Sequence, residues 1–502
     1  MINGVRERIL SALKSYSNQP ALLDGDVVIS YATLELHIKT ILKSPLFDDS
    51  NKNFPIAIVM EPSCEIALVC IACVVANKTY VPISPQNPSD RIDAILKDLN
   101  ASDIVCDKNN YSSLEKLEGS SSCWLFELSE DQVFLTCKRK GNREFSELSY
   151  FREVQYVLYS SGTTGVPKGI AVTYDNVTSF LDWILDKIDV APGDRFSGHT
   201  EMSFDLSVFD LFVPLTTGGC YCPLSEAADR VFPAEFIRNR RINTWLSVPT
   251  VLDLIIKTRQ VEISDAFGSL KQILFCGDIL NLKSVQTWFQ FQKVPVLNLY
   301  GPTEATVAVS SFRCHPSDDL SRYESLPIGH RSEPNFLLRE FVGGEQKDKL
   351  YSLFLKGPQI AKGYWNKSDL SSEKFLSLHG ERAYDTGDLV KSDNQGHVFF
   401  CGRSDFQIKK EGYRIELSEI DYVVGLIEGV TSSCSIFSLG QIVTFVASAN
   451  HNLEEKIVMD HCKMKLPHYM LPARVNFLET LPVNVNGKVD RKALMKLAEK
   501  TA

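Results

Sequence analysis

Apolar residues recur at helical spacing from Val5 to Ser15, and the run Phe54 to Met60 has the length and composition of a buried strand. Cys64 to Ala76 reads as a packed helix and Thr79 to Ile83 as a further strand. Strands and helices alternating in this way predict α/β layers. Residues 107–150 are polar and irregular, and the pattern assigns no element there. The aromatic and β-branched run Tyr156–Tyr159 enters a small polar stretch at 160–169 and leaves through Ile170–Val172, which predicts a loop joining two strands. A helix follows over Asp175–Leu185, then strands at Ile273–Phe275 and Val294–Leu299, each ending in a turn. Beyond residue 405 a smaller α/β pattern takes over: a strand near Phe406–Lys409, a helix from Ser418, a strand at Ile442–Ala447 and a helix from Leu453. The division expected is a large N-terminal domain over 1–402, a joint at 403–405 and a small C-terminal domain over 406–502.

Composition narrows the function classes. At 502 residues the length suits either about three domains or one large and one small domain, and 44% apolar content supplies a core for either. A formal charge of -9 argues against nucleic acid or an anionic membrane as the main partner, because both reward a basic surface. The 13 cysteines have no repeating spacing. Cys70 and Cys73 form a half-site at redox or zinc spacing without a second pair or a histidine cluster, so a buried helix face with reduced thiols is expected. Arg6, Glu7 and Arg8 fall where a signal peptide would be apolar, and Ile66–Ala76 is too short to span a bilayer. A cytoplasmic protein without a membrane segment is the expectation.

Several polar strings stand out against this background. In the loop after Tyr159, Gly162, Gly165 and Gly169 let the backbone approach a ligand, while Ser160, Ser161, Thr163 and Thr164 can donate to phosphate oxygens and Lys168 adds a positive charge. It is not a Gly-Lys-Ser/Thr loop opening a helix, and a plain hairpin tip is the alternative. Asp205 and Asp210 interrupt the apolar segment 204–212, which is costly unless each finds a partner. Asp205 either caps the helix that follows or pairs with a substrate ammonium. Tyr300-Gly301-Pro302-Thr303-Glu304 lies beyond the carboxyl end of a strand, where open α/β sheets bind ligands; a ring, a turn, a hydroxyl and a carboxylate there suit a base and a phosphate-bound divalent ion. Asp388 follows Gly387 and suits two ribose hydroxyls, and Lys488 beside Gly487 is either a solvated charge or a catalytic one.

Taken in order, the strings at 160–169, 204–209, 300–304, 384–388, 402–416 and 486–491 resemble the core motifs of amino-acid adenylation domains in the adenylate-forming enzyme superfamily. The resemblance runs from about residue 20 to the end of the chain. It is strongest to stand-alone amino acid:carrier protein ligases, of the D-alanine:D-alanyl carrier protein ligase and L-proline:carrier protein ligase types, through Cys276-Gly277-Asp278, Tyr300–Val309 and Asp405–Lys409. It implies a large N-terminal adenylate-forming domain of layered sheets and helices and a small mobile α/β C-terminal lid. It further implies ATP held by Ser160, Ser161, Gly162, Thr163, Thr164, Gly165 and Lys168 at the phosphates and by Gly277, Asp278, Tyr300 and Gly301 at adenine. Asp388 and Arg403 would meet the ribose, Thr303 the α-phosphate, and Glu304 would bring Mg2+. Lys488 would stabilise the charge that builds during adenylate formation, and a rotation about Asp405 would then withdraw it and bring in Gly412-Tyr413-Arg414 for attack by a phosphopantetheine thiol.

Asp205 discriminates among acids, since only a substrate with an ammonium gains from a buried carboxylate there. By the resemblance, the remaining pocket positions are Leu206, Phe209, Leu246, Leu274, Cys276, Leu299, Val307 and Ala308, all apolar, so a small apolar amino acid is expected. Cys276, Val307 and Ala308 fit D-alanine; Leu274 and Leu299 fit L-proline, and both stay open. No Gly-Gly-Asp-Ser type carrier segment is present, so the implied partner is a separate phosphopantetheinylated carrier protein. An acyl- or aryl-CoA ligase of the same superfamily is the alternative enzyme, and a binding protein with a dead site is the alternative outside enzymes.

Overall fold

The computed structural model describes residues 4–48, 54–115, 121–129, 132–141, 153–162, 167–263, 265–341, 349–378, 380–448, 453–483 and 489–500. The chain packs as two units: one made of Met1–Ser84, Ala101–Leu158 and Ile170–Ser404, the other of Pro85–Asn100, Tyr159–Gly169 and Asp405–Ala502.

The first unit is built on layered sheets, as the alternating pattern predicts. One eight-stranded sheet runs, in spatial order, Ser310–Cys314, Val296–Tyr300, Gln272–Phe275, Thr244–Ser247, Arg195–Gly198, Cys220–Pro223, Pro20–Asp24 and Val27–Ser30. Its inner pairs are parallel and its two outer pairs antiparallel. Both faces are covered, so neighbouring residues on a strand enter different cores. Leu246, Leu274, Leu297 and Leu299 join one apolar cluster, and Trp245, Ile273, Phe275 and Val296 join the other.

A second eight-stranded sheet places Val154–Ser160 and Lys168–Thr173 side by side, so the loop between them does join two strands. The polar stretch left without assignment holds a helix at Lys108–Glu115 and an antiparallel pair, Ser122–Ser129 with Gln132–Arg139. Only one face of Gln132–Arg139 is buried, which is why its sequence reads as polar. The helix Cys64–Val75 is apolar and buried at every position except Glu65, with Cys70 and Cys73 both at 0% exposure. A six-stranded sheet brings His397–Arg403 against Glu381–Ser392, with Asp388 opposite Arg403.

In the second unit, the hairpin Gln407–Lys410/Tyr413–Glu416 leads into the helix Leu417–Gly425 and a three-stranded sheet of Val430–Ser438, Gln441–Ser448 and Arg474–Leu478. Ile415, Ile420, Val424, Val446, Val458 and Met470 form part of its own apolar core. The loop Tyr159–Gly169 and the helix Ser89–Leu99 belong to this unit because charged contacts tie them to the residues after Ile415. No described helix is long and apolar enough to cross a membrane.

Candidate active site

The strand Val296–Tyr300 delivers its carboxyl end into a tight reversal. A Cβ on Gly301 would stand 2.6 Å from the Ala308 Cα and 2.8 Å from the Val307 carbonyl oxygen, so the glycine is what lets 301 and 308 approach. Thr306 and Val307 sit at φ 55° and 70°, a left-handed conformation that β-branched residues rarely adopt. Such strain costs about 1–3 kcal/mol per residue and persists only where surroundings impose it. Here Thr306 Oγ1 donates to the Gln359 carbonyl at 2.7 Å, buried Gln359 Nε2 donates to the Ala308 carbonyl at 2.8 Å, and Val309 N–H donates to the Tyr300 carbonyl at 2.9 Å.

Within that frame the polar residues of the reversal each meet a partner. The Tyr300 hydroxyl donates to Asp388 Oδ2 at 2.5 Å, and Arg403, opposite Asp388 in the sheet, pairs with Oδ1 of the same carboxylate. Burial, and secondarily the Asp388 charge, pushes the Tyr300 phenol well above its ordinary pKa, so it stays a donor. The Thr303 hydroxyl donates to Asp205 Oδ2 at 2.7 Å. Asp205 occupies the N-cap position of the helix Leu206–Thr217, but its side chain makes no capping bond, so the capping alternative does not hold. Glu304 is fully buried and accepts from the Tyr364 hydroxyl at 2.9 Å. Mg2+ takes one or two protein carboxylates and completes its shell with phosphate and water. A single carboxylate at Glu304 fits that donor set, and among the described residues no cluster of three metal-ligating side chains competes with it.

Leu206, Phe209, Leu246, Leu274, Cys276, Leu299, Val307 and Ala308 are all buried and all belong to one apolar cluster, which Tyr300 also joins. Leu246 pairs with Leu274 in register, and Leu274 with Leu297, so the strands offer a continuous leucine face. Tyr156 lies in the same cluster with its buried hydroxyl unpartnered; desolvation first, then the charge of Asp205, raises its pKa. Gly277 takes a positive φ of 95° after Cys276, and Asp278 Oδ1 accepts from the Ile279 N–H at 2.7 Å.

The glycine-rich loop belongs to the second unit and meets carboxylates there. Lys168 Nζ stands 3.1 Å from Glu416 Oε1, and Gly162 N–H donates to Glu419 Oε2 at 2.9 Å. Glu419 Oε1 also pairs with Arg91 at 2.5 Å, with both side chains nearly fully buried. Ser161 Oγ donates to the Arg414 carbonyl and accepts from the Glu416 N–H, while the buried Ser160 hydroxyl has no partner. Lys168 and the Gly162 N–H therefore hold anionic oxygens, the chemistry a phosphate would present. Asp405 opens the C-terminal stretch of this unit and accepts from the Gln407 N–H. Thr163, Thr164, Gly165 and Lys488 lie outside the described residues.

The first unit thus brings together Asp205 with Thr303, Tyr300 with Asp388 and Arg403, and the apolar positions with one another. Sequence reasoning missed Arg91, Glu416 and Glu419 as partners of the loop and Gln359 and Tyr364 as supports of the reversal. Glu416 and Glu419 carried a usable signal, because they interrupt the apolar run Ile415–Ile420 much as Asp205 interrupts its own. A cleft of about 530 Å³ lined by Arg322, Tyr323, Lys349, Tyr351, Lys391 and Phe399 contains none of the expected site residues.

The fold and these strings define an adenylate-forming enzyme, and the chain belongs to the AMP-binding enzyme family, whose pattern matches residues 11–365. The chain is similar to the D-alanine--D-alanyl carrier protein ligase of Bacillus licheniformis, 32% identical over 446 residues that cover 86% of each chain. It is also similar to the L-proline--[L-prolyl-carrier protein] ligase of Pseudomonas fluorescens, 29% identical with 99% of each chain covered. Among solved structures, the Vibrio cholerae adenylation domain AlmE in complex with glycyl-adenosine-5'-phosphate matches with a TM-score of 0.82 and 26% identity, over 99% of this chain and 98% of that one.

Proposed function

We propose that this protein activates a small apolar amino acid with ATP as aminoacyl-AMP and passes the aminoacyl group to the phosphopantetheine thiol of a separate carrier protein. The observation that carries the reading is Asp205: a carboxylate without a capping role, standing at the head of a helix whose next residues, Leu206 and Phe209, belong to a wholly apolar cluster. A zwitterion with a small apolar side chain matches that combination, and a fatty or aryl acid offers the carboxylate no ammonium to pair with. The names of the relatives, which include both a D-alanine and an L-proline ligase, support the same class. L-Proline and D-alanine are the candidate substrates, and glycine, present as the adenylate in the Vibrio cholerae structure, is the smallest member of the series.

A carboxylate is a poor acyl donor. In the proposed reaction its oxygen attacks the α-phosphorus, the bond to the bridging oxygen breaks, pyrophosphate leaves, and a mixed anhydride forms. Asp205 orients the ammonium, Thr303 donates to the α-phosphate, and Asp388, with Arg403 beside it, accepts from the ribose hydroxyls. Lys488 neutralises charge shared between the attacking and leaving oxygens. Mg2+, held by Glu304, would screen the phosphate charge. The thiol then displaces AMP after a rotation about Asp405 that exchanges Lys488 for Gly412-Tyr413-Arg414.

Pyrophosphate exchange with glycine, both alanines, L-proline and a set of acids lacking an α-amino group tests the first step. Exchange confined to the amino acids supports the assignment, and exchange only with acids lacking the amine refutes it. Covalent loading of a carrier protein, compared with thioester formation on free coenzyme A, tests the second.

A further inference from the structure

We propose that the Thr303–Asp205 hydrogen bond makes capture of the α-phosphate conditional on an amino acid being bound. The inference rests on the function proposed above and adds a coupling between its two substrates.

Thr303 has one hydroxyl proton, and it is directed to Asp205 Oδ2 at 2.7 Å. A hydroxyl donating to an ionised carboxylate makes a charge-assisted bond, stronger than one to a neutral acceptor. The same proton is the one Thr303 would give to an α-phosphate oxygen. It serves one acceptor at a time. An ammonium at Asp205 cancels the carboxylate charge and weakens its hold on that proton, whereupon the hydroxyl turns to the phosphate.

The surroundings restrict the change to this rotor. Asp205 is fixed at the start of a 12-residue helix, and Val208 N–H donates to its carbonyl at 3.0 Å. Thr303 opens the short turn Thr303–Ala305, and the buried Ala361 N–H donates to the Glu304 carbonyl at 2.8 Å. The reversal that follows is pinned through Gln359. Two rigid elements therefore hold donor and acceptor at fixed separation, and the hydroxyl torsion is the two-state part that both ligands bias. Linkage then requires that the amino acid and the α-phosphate each tighten the other's binding by the same factor.

Equilibrium binding of AMP to the full chain, with and without a saturating amino acid that supports exchange, measures that factor. AMP affinity rises about tenfold with the amino acid present, within the usual range of such couplings, while affinity for adenosine, which lacks the phosphate, stays constant. Thr303→Val binds AMP more weakly and loses the response to amino acid, and Thr303→Ser restores it. Asp205→Ala binds AMP alone more tightly than the unsubstituted protein, because the hydroxyl is released. A coupling that persists in Thr303→Val reduces the effect to the carboxylate's charge acting through space and overturns the proposal, as does a constant AMP affinity in the unsubstituted protein. Pyrophosphate exchange in the same preparations separates the two levels. Exchange without coupling overturns the proton switch alone, and absence of exchange with every amino acid overturns the underlying function and the switch with it.

Discussion

Asp388 answers two donors at once, the Tyr300 hydroxyl and the Arg403 guanidinium, and the pairing of their strands sets both. Tyr300→Phe keeps the ring and removes one hydrogen bond, worth about 0.5–1.5 kcal/mol. We expect the KM for ATP in pyrophosphate exchange to rise by up to about tenfold with little change in kcat. Asp210 is a different kind of acid. It is fully buried, one of its oxygens has no partner, and burial raises its pKa well above 3.8. The folded state therefore keeps a proton that the unfolded chain releases, so this carboxyl's contribution to stability is full below about 3.8 and declines as pH climbs toward the folded value. Asp210→Asn cannot ionise; its melting temperature should exceed that of the unsubstituted protein by more at pH 8 than at pH 5. An advantage that is equal at both values, or larger in acid, contradicts the buried-acid account. His199 acts with opposite sign: burial first and Arg230 second lower its pKa to about 3, so its contribution is full above 6.5 and is lost as pH falls from there toward about 3.

At the scale of elements, the reversal after Val296–Tyr300 and the glycine-rich loop are each held by residues distant in sequence. Gly301→Ala puts a methyl against backbone, which cannot yield as a flexible side chain would. The displaced Thr303 and Glu304 should lower exchange about a hundredfold, the usual consequence of an ångström's misplacement, with a circular dichroism spectrum like that of the unsubstituted protein. For the loop, the sensitive contact is Arg91 with Glu419. Arg91→Ala leaves a buried carboxylate without its cation and should cost about 3–5 kcal/mol in denaturant unfolding. The double variant Arg91→Met, Glu419→Gln should recover much of that loss, and a loss equal to or greater than that of the single variant would show that the charges were not coupled.

Across the whole molecule, the chain packs as two units, with Asp205, Tyr300 and Asp388 in one and Lys168 in the other. Lys488→Ala should cut exchange by more than about a hundredfold while leaving the melting curve in place; a shifted melting curve would mean that the lysine holds structure. The layered α/β plan was legible from the chain because buried parallel strands such as Ile56–Val59 and Gln272–Phe275 announce themselves as short apolar runs. The pairing of Tyr300 with Asp388 and of Thr303 with Asp205 was not, since motif order names residues without saying which side chains meet. The assignment of Pro85–Asn100 and Tyr159–Gly169 to the C-terminal unit was also hidden, because ion pairs between separated segments leave no periodic trace. Gln132–Arg139 escaped notice for a simpler reason: one wet face made a strand look like a loop.

The contorted backbone at Val307 bears on how this enzyme could acquire new clients. Its side chain is one of the walls proposed to confine the acid, yet its main chain would be at ease only in a residue without a side chain. Trading it for glycine would both hollow out the recess and relax the chain, so the void left behind is partly offset. Broader acceptance of bulkier acids has, at this one position, an unusually short mutational path.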